Sequence, residues 1–363
     1  MTAAAPDLVV PDAPAIAFPF PDYPAPGAAT EVADGIFWVS TPLPFVGLKQ
    51  INVWLLRDGD GFTMIDCGIG IGPVREQLEA AWAQVLAGRR ITRLILTHFH
   101  PDHIGNSGFV CARFGLRPFM TEAEWLTAHL AFLEVETGAL AARGEFYRRH
   151  GLSEALASRF TREVVPYPEG VELPTDYRRL ADGDKLVIDG AGWRVIVGGG
   201  HSPEHVSLYC AKRRIVIAGD QILPAITTNV STWPTEPEFD AVGAFLGTCR
   251  RFWDLLPADV LVLPSHRKPF FNVRRRLAEL AHHHAERLNL VLSAGHEIAA
   301  GDVMDVLFRS GLDGHQIGFA MGEAIAHLNH LVTLGHVVMI EDRRGVRYRR
   351  TGSGTVPVAA GFG

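Results

Sequence analysis

Cysteine is scarce in this chain. Its 363 residues hold four (Cys67, Cys111, Cys210 and Cys249), widely scattered and without a C-x-x-C pair. That spacing excludes a disulfide framework. Long apolar runs are missing too: none approaches the roughly 20 residues that a spanning helix needs. The N-terminus lacks the positive region and compact apolar core of a secretory signal. A reduced, cytoplasmic setting without a membrane anchor is therefore expected. Basic charge is not in excess, because 34 Lys and Arg face 40 Asp and Glu for a net charge of −6. A basic coat for nucleic acid or an anionic membrane is thus not supported. Disorder is excluded by 47% apolar and 20% charged residues. The length suggests about two domains. The unusual count is histidine, at sixteen.

Proline is concentrated at the start. Seven prolines (Pro6, Pro11, Pro14, Pro19, Pro21, Pro24, Pro26) fall within residues 1–29. They remove backbone donors and fix φ, so residues 1–30 read as an extended arm rather than a central strand. Short β-rich segments follow: 35–40, 50–57 and 62–66, the last two joined by the turn signal Asp58-Gly59-Asp60-Gly61. Pro73 opens a helix to about Leu86, and 93–97 is another strand. Thr121–Glu124 fits a capping box that starts a helical insert over 121–165. Strands return at 185–189, 193–198, 206–211, 214–218 and 260–263. Two groups of strands with helices outside predict a layered α/β/β/α sandwich over 31–270. A connecting helix spans 271–297. Residues 298–352 show helix, turn, helix and hairpin, a winged-helix pattern, before a tail at 353–363.

Residues 97–103 read Thr-His-Phe-His-Pro-Asp-His, directly after a buried strand. His98 and His100, two apart, can point the same way and share one metal, while Asp102 and His103 can face a second. Zinc favours such nitrogen-plus-oxygen sets. Further candidate ligands stand at later strand ends beside glycine or proline: His201 in GGGHSPEH, Asp220 in IAGDQILP and His266 in LPSHRKPF. Such loops let several strands converge on one cleft.

H-x-H-x-D-H, followed in order by a lone His, a lone Asp and a lone His, resembles the metallo-β-lactamase fold superfamily of hydrolases. The resemblance covers about residues 31–270. It implies one metal on His98, His100 and His201, a second on Asp102, His103 and His266, and Asp220 bridging them. It also implies that Asp66 supports the metal loop without binding metal. The flavodiiron branch is disfavoured, because position 100 is His rather than a carboxylate and no flavodoxin domain is present. Glyoxalase II-like and ribonuclease Z-like branches keep the complete ligand set. The absence of Cys from every ligand position lowers the case for a true β-lactamase. The C-terminal part looks like the winged-helix appendage of the human lactamase-like protein 2 branch.

The expected activity is a dinuclear hydrolase, most simply with zinc (iron and manganese also suit the ligands). It would cleave a thioester, ester or lactone of a small acyl molecule by attack of a metal-bridging hydroxide, with Asp102 and Asp220 as the catalytic carboxylates. The alternatives are a phosphodiesterase or ribonuclease of the same fold, and a nucleic-acid-binding regulator with structural metals. Helix 315–334 carries no Arg or Lys, which disfavours nucleic acid and suits a packing or homodimer element. His205 reads as a packed residue, or as one that contacts substrate or orients a ligand. Arg267 and Lys268 read as a substrate-anion site or as a solvated pair. His282, His283 and His284 read as a solvated or partner-facing run. The insert reads as a lid or as extra core.

Overall fold

The computed structural model describes residues 14–357 except Val46. Among the described residues, the larger sheet has seven strands in sequence order: Ala29–Ala33, Ile36–Pro42, Gln50–Asp58, Gly61–Ile65, Arg90–Ile95, Phe119–Met120 and Arg178–Arg179. Its first four strands pair antiparallel and the rest parallel. A second sheet runs in the order Leu261–Pro264, Ile215–Gly219, His205–Cys210, Ala191–Gly198, Lys185–Ile188.

Side-chain alternation turns these sheets into layers, because successive residues of a strand face opposite sides. In Gln50–Asp58, Trp54 and Leu56 enter the core between the sheets, whereas Val53 and Leu55 pack outward. That outward face meets the helices Gly72–Val85 and Ser107–Phe114. In Ile215–Gly219, Ile215 and Ile217 enter the shared core, and Val216 and Ala218 turn to the helices Ala241–Leu255 and Val273–Ala294. The result is helix, sheet, sheet, helix, as the strand pattern predicts.

A separate core joins the insert to the C-terminal segment. Tyr147, Leu152 and Phe160 pack with Leu288, Ile317, Met321 and Tyr348. The insert helices Ala139–Arg149 and Glu154–Glu163 thus form a core layer against the helix Gly314–Thr333. The C-terminal hairpin Val337–Asp342 and Gly345–Arg350 forms a small sheet with Glu297–Ile298. The described part of the proline-rich arm lies on the two-sheet body. Ala17 bridges Phe271, and the rings of Phe20 and Tyr23 stand 6.4 and 5.4 Å from Trp38. Residues 1–13 of the arm and 358–363 of the tail lie outside the described residues.

Two local expectations are corrected. Thr121 begins the helix Glu122–Phe132 but makes no side-chain cap, so the predicted capping box does not form. Its hydroxyl donates instead to the Glu204 carbonyl at 2.9 Å. His284 is not solvated: it is 1% exposed, and its Nδ1 lies 3.2 Å from Nε2 of His327.

Candidate metal centre

All seven predicted ligands converge at loops that leave the ends of central strands. The loop after Arg90–Ile95 delivers His98, His100, Asp102 and His103. Three loops of the second sheet deliver His201, Asp220 and His266. Glycine makes two of these exits possible. Gly200 has φ +97°, and a Cβ there would overlap the Ala241 carbonyl oxygen. Gly219 has φ +56°, and its Cβ would overlap Nε2 of His205. Any side chain at either position is strained and obstructed.

Three imidazole nitrogens form the first group. Nε2 of His98 lies 2.9 Å from Nδ1 of His100 and 3.1 Å from Nε2 of His201. The far sides of His98 and His201 fix their tautomers. His201 Nδ1 donates to the Asn229 carbonyl at 2.7 Å. The Thr97 hydroxyl donates to Asp66 Oδ2 at 2.8 Å, which leaves it to accept from His98 Nδ1 at 3.0 Å. In the neutral rings, unprotonated Nε2 atoms of His98 and His201 therefore face each other across 3.1 Å. Such an arrangement is repulsive unless a cation lies among them. Burial, helped by the neighbouring imidazoles, holds His98 and His100 well below the usual histidine range. Burial lowers His201 as well. The group is thus kept neutral, as metal ligation requires.

The second group is rich in carboxylate. His266 Nε2 lies 3.3 Å from Asp102 Oδ2 and 3.3 Å from Asp220 Oδ2, and His103 Nε2 lies 3.7 Å from Asp102 Oδ2. Asp220 touches both groups. Its Oδ2 is 3.6 Å from His201 Nε2, and its Oδ1 is 3.6 Å from His103 Nε2. Burial works to raise Asp102, but His103 and His266 outweigh it and bring it to about 2. Asp220 falls well below the carboxylate range for the same reason, with His266 leading. Burial likewise opposes charge on His266 and His103, yet the carboxylates win: His266 rises to about 10 and His103 well above its usual value. The field at this end favours positive charge. His103 Nε2 and Asp220 Oδ1 are buried without a hydrogen-bond partner among the described residues. Orphaned donor atoms, aligned lone pairs and an N/O donor set all fit divalent cations.

Surrounding residues lock the ligands. Asp66, in the left-handed region at φ +57°, accepts from the Thr97 amide at 2.7 Å and meets His103 Nδ1 at 2.8 Å. It contacts the strand end and the His103 ring and belongs to none of the three groups that could hold a metal. His266 Nδ1 donates to the Gln50 carbonyl at 2.9 Å. His205 is fully buried, its ring centroid 4.9 Å from that of His98, and its Nε2 accepts from the Asp220 amide at 3.0 Å. Burial brings it to about 3, so it is the neutral acceptor that this bond needs. Arg267 stays beside His266 with a buried Nε that has no hydrogen-bond partner among the described residues. Lys268 does not join the cluster. Its ammonium donates to the Pro21 carbonyl and stands 5.4 Å over the Tyr23 ring, so it fastens the N-terminal arm.

Sequence reasoning missed Asn52, Asn229 and Glu124. Asn52 is buried in a strand, accepts from Trp38 Nε1 at 2.8 Å, and donates to the carbonyls of Pro264 and Arg267 on either side of His266. An amide inside the apolar run QINVWLLR was the available signal. Glu124 accepts from the Phe99 amide (2.9 Å), the Ser202 hydroxyl (2.5 Å) and the Glu204 amide (2.8 Å). One carboxylate thereby ties the loop of His98 and His100 to the loop of His201. Glu124→Ala strands two buried donors and a half-buried one and is expected to cost about 2–4 kcal/mol in urea unfolding. Burial raises the Glu124 pKa from 4.5 to about 7. Folding therefore binds its proton, and the stability linked to that proton is full below pH 4.5 and lost as pH rises through about 7. The gap between wild type and the alanine variant should narrow across that window. An equal gap at pH 5 and pH 8 would contradict this account.

Aromatic groups border the cluster. The Phe99 ring is 4.7 Å from that of His100 and 6.3 Å from that of Trp233, and Arg143 of the insert lies 5.5 Å over Trp233. The ring of Phe45 stacks on that of His315 at 5.5 Å.

Comparison with known proteins gives the family. Residues 46–266 match the family model described as the metallo-beta-lactamase superfamily, and residues 288–351 match that of the metallo-beta-lactamase-like C-terminal domain. The acyl-coenzyme A thioesterase MBLAC2 of Homo sapiens is 26% identical over 67% of this chain and 82% of its own length. A crystal structure of a beta-lactamase domain protein from Burkholderia ambifaria is 38% identical over 93% of this chain and 98% of that one, with a TM-score of 0.85. A metallo-beta-lactamase family protein from Thermus thermophilus is 28% identical over 88% of this chain and 100% of that one, with a TM-score of 0.74. The chain belongs to the metallo-beta-lactamase superfamily, and it is a metal-dependent hydrolase of that fold.

Proposed function

We propose that the protein hydrolyses the thioester of a small acyl substrate at a centre of two divalent cations, with zinc as the native metal. The observation that carries this reading is Asp220 standing between two three-residue groups, within 3.6 Å of a nitrogen in each. His98, His100 and His201 would hold one cation; Asp102, His103 and His266 the other; Asp220 both. Bound there, the cations would supply a Lewis acid for a carbonyl and would bring the pKa of water from 15.7 toward roughly 7. The protein supplies the rest. Asp102 and Asp220 are the acceptors that orient the attacking water. The rings of Phe99 and Trp233 exclude bulk water and give an acyl group an apolar face. The thioester class draws support from the human relative, an acyl-coenzyme A thioesterase.

The helix Gly314–Thr333 favours acyl over nucleic-acid substrates. Ile317, Met321, Ile325 and Leu328 bury one of its faces in the core, and it offers no Arg or Lys to phosphate. The test is a hydrolysis panel of acyl-CoA, acyl-glutathione, lactone, β-lactam and bis-nitrophenyl phosphate, with metal analysis of the same sample. Thioester turnover at least about a hundredfold above the phosphodiester is expected, a gap of about 2.7 kcal/mol in barrier. The reverse order would move the reading to a phosphodiesterase.

A further inference from the structure

The helix Gly314–Thr333 belongs to the C-terminal segment, yet one of its faces grips the loop that follows Asp220. The Gly322 carbonyl accepts from the Thr232 amide at 3.0 Å, and a Cβ on Gly322 would stand 2.8 Å from the Ser231 side chain. One turn or two further on, Asn329 donates to the carbonyls of Pro237 and Phe239, and His330 Nδ1 lies 3.0 Å from Asp240. Between these contacts stands Glu323, which is 8% exposed. Its Oε1 pairs with Arg287 of the preceding long helix at 3.1 Å, and its Oε2 accepts from Asn229 Nδ2 at 3.2 Å. The amide oxygen of Asn229 accepts from the Ser231 hydroxyl at 2.7 Å. Both ends of the Asn229 side chain are therefore fixed. Its backbone carbonyl is the group that receives the His201 Nδ1 proton at 2.7 Å.

We infer that Glu323 is a positioning residue for the metal centre: through Asn229 it sets the ring orientation and tautomer of His201, so the C-terminal segment completes the three-histidine group. This rests on the reading of His201 as a ligand. An imidazole whose Nδ1–H is held by a fixed acceptor presents a stronger and better aimed Nε2, and losing such a partner typically costs 10- to 100-fold in metal affinity. Arg287 in turn holds the Glu323 carboxylate, because an unpaired buried charge would be expelled or neutralised.

The experiment is chelator competition on the full-length protein, which reads the affinity of each zinc equivalent, joined to the visible spectrum of the cobalt-substituted protein. Glu323→Ala should weaken one of two equivalents about 10- to 100-fold and leave the other within about threefold. Glu323→Gln keeps an acceptor for Asn229 and should recover most of the loss. Asn229→Ala removes only a half-buried loop side chain, so folding is not at stake, and it should reproduce the loss. Asp313→Ala is the control for a merely structural effect. It deletes the N-cap bond to Gln316 of the same helix at about 1 kcal/mol, without touching the loop, and should leave both affinities and the cobalt spectrum unchanged. Equal weakening of both equivalents, no weakening in either Glu323→Ala or Asn229→Ala, or the same shift in Asp313→Ala would each overturn the inference. A wild-type protein that takes up one equivalent contradicts the two-ion reading instead, and the role of Glu323 is then read on that equivalent.

Discussion

Asp220→Ala is expected to lower kcat/KM at least about a thousandfold, about 4 kcal/mol of transition-state stabilisation, and to reduce bound metal to one equivalent or fewer. Its carboxylate oxygens lie within 3.6 Å of a nitrogen in each half of the centre. Removing it deletes the carboxylate 3.3 Å from His266 and 3.6 Å from both His201 and His103. Those imidazoles lose the negative charge that lets them and a cation coexist. The fold should persist, because the Asp220 backbone keeps its bonds to His205 and Thr228. Asp220→Asn separates charge from shape: it fills the same space, and its turnover should fall almost as far. Mass spectrometry under native conditions with parallel kinetics checks both variants. Full metal content with normal turnover in Asp220→Ala would end the bridging assignment.

Exhaustive chelation has the second large effect. Without cations, the unprotonated nitrogens of His98 and His201 face each other across 3.1 Å with nothing to offset their repulsion, and only His103 and His266 answer the charge of the two buried carboxylates. Ligand linkage gives about 4 kcal/mol of stabilisation for a metal present at a thousandfold above its Kd. Thermal scanning should therefore show a loss of several degrees in Tm, together with nearly all activity. Both should return on adding zinc, and the metal that restores the highest turnover identifies the functional ion. Unchanged Tm and rate at less than a tenth of an equivalent of metal would contradict metal-dependent catalysis by these residues.

The cluster of candidate ligands was legible because its signal is local. Four of them lie within residues 98–103, and the others follow strand ends marked by glycine or proline, so composition and order sufficed. The sandwich was legible from alternation, as Trp54 and Leu56 against Val53 and Leu55 illustrate. The supports were not legible, because their meaning is tertiary. Thr121 and Glu124 satisfy a local capping rule, yet both side chains reach across to the loop that carries His201 and Glu204. Lys268 follows a ligand in sequence but points to the arm, since Arg267 at φ +70° turns the chain. His284 sits in a polar run, and only the packing of a second helix buries it against His327. Asn229 carries no sequence signal, because its essential group is a backbone carbonyl.

The most direct measurement is anomalous diffraction from crystals of the metal-loaded protein, collected on both sides of the metal edge. Two peaks about 3.5–4 Å apart are predicted. One should be bound by His98, His100 and His201, the other by Asp102, His103 and His266, with Asp220 reaching each. A single peak, or side chains of these seven residues turned away from any peak, would contradict the account.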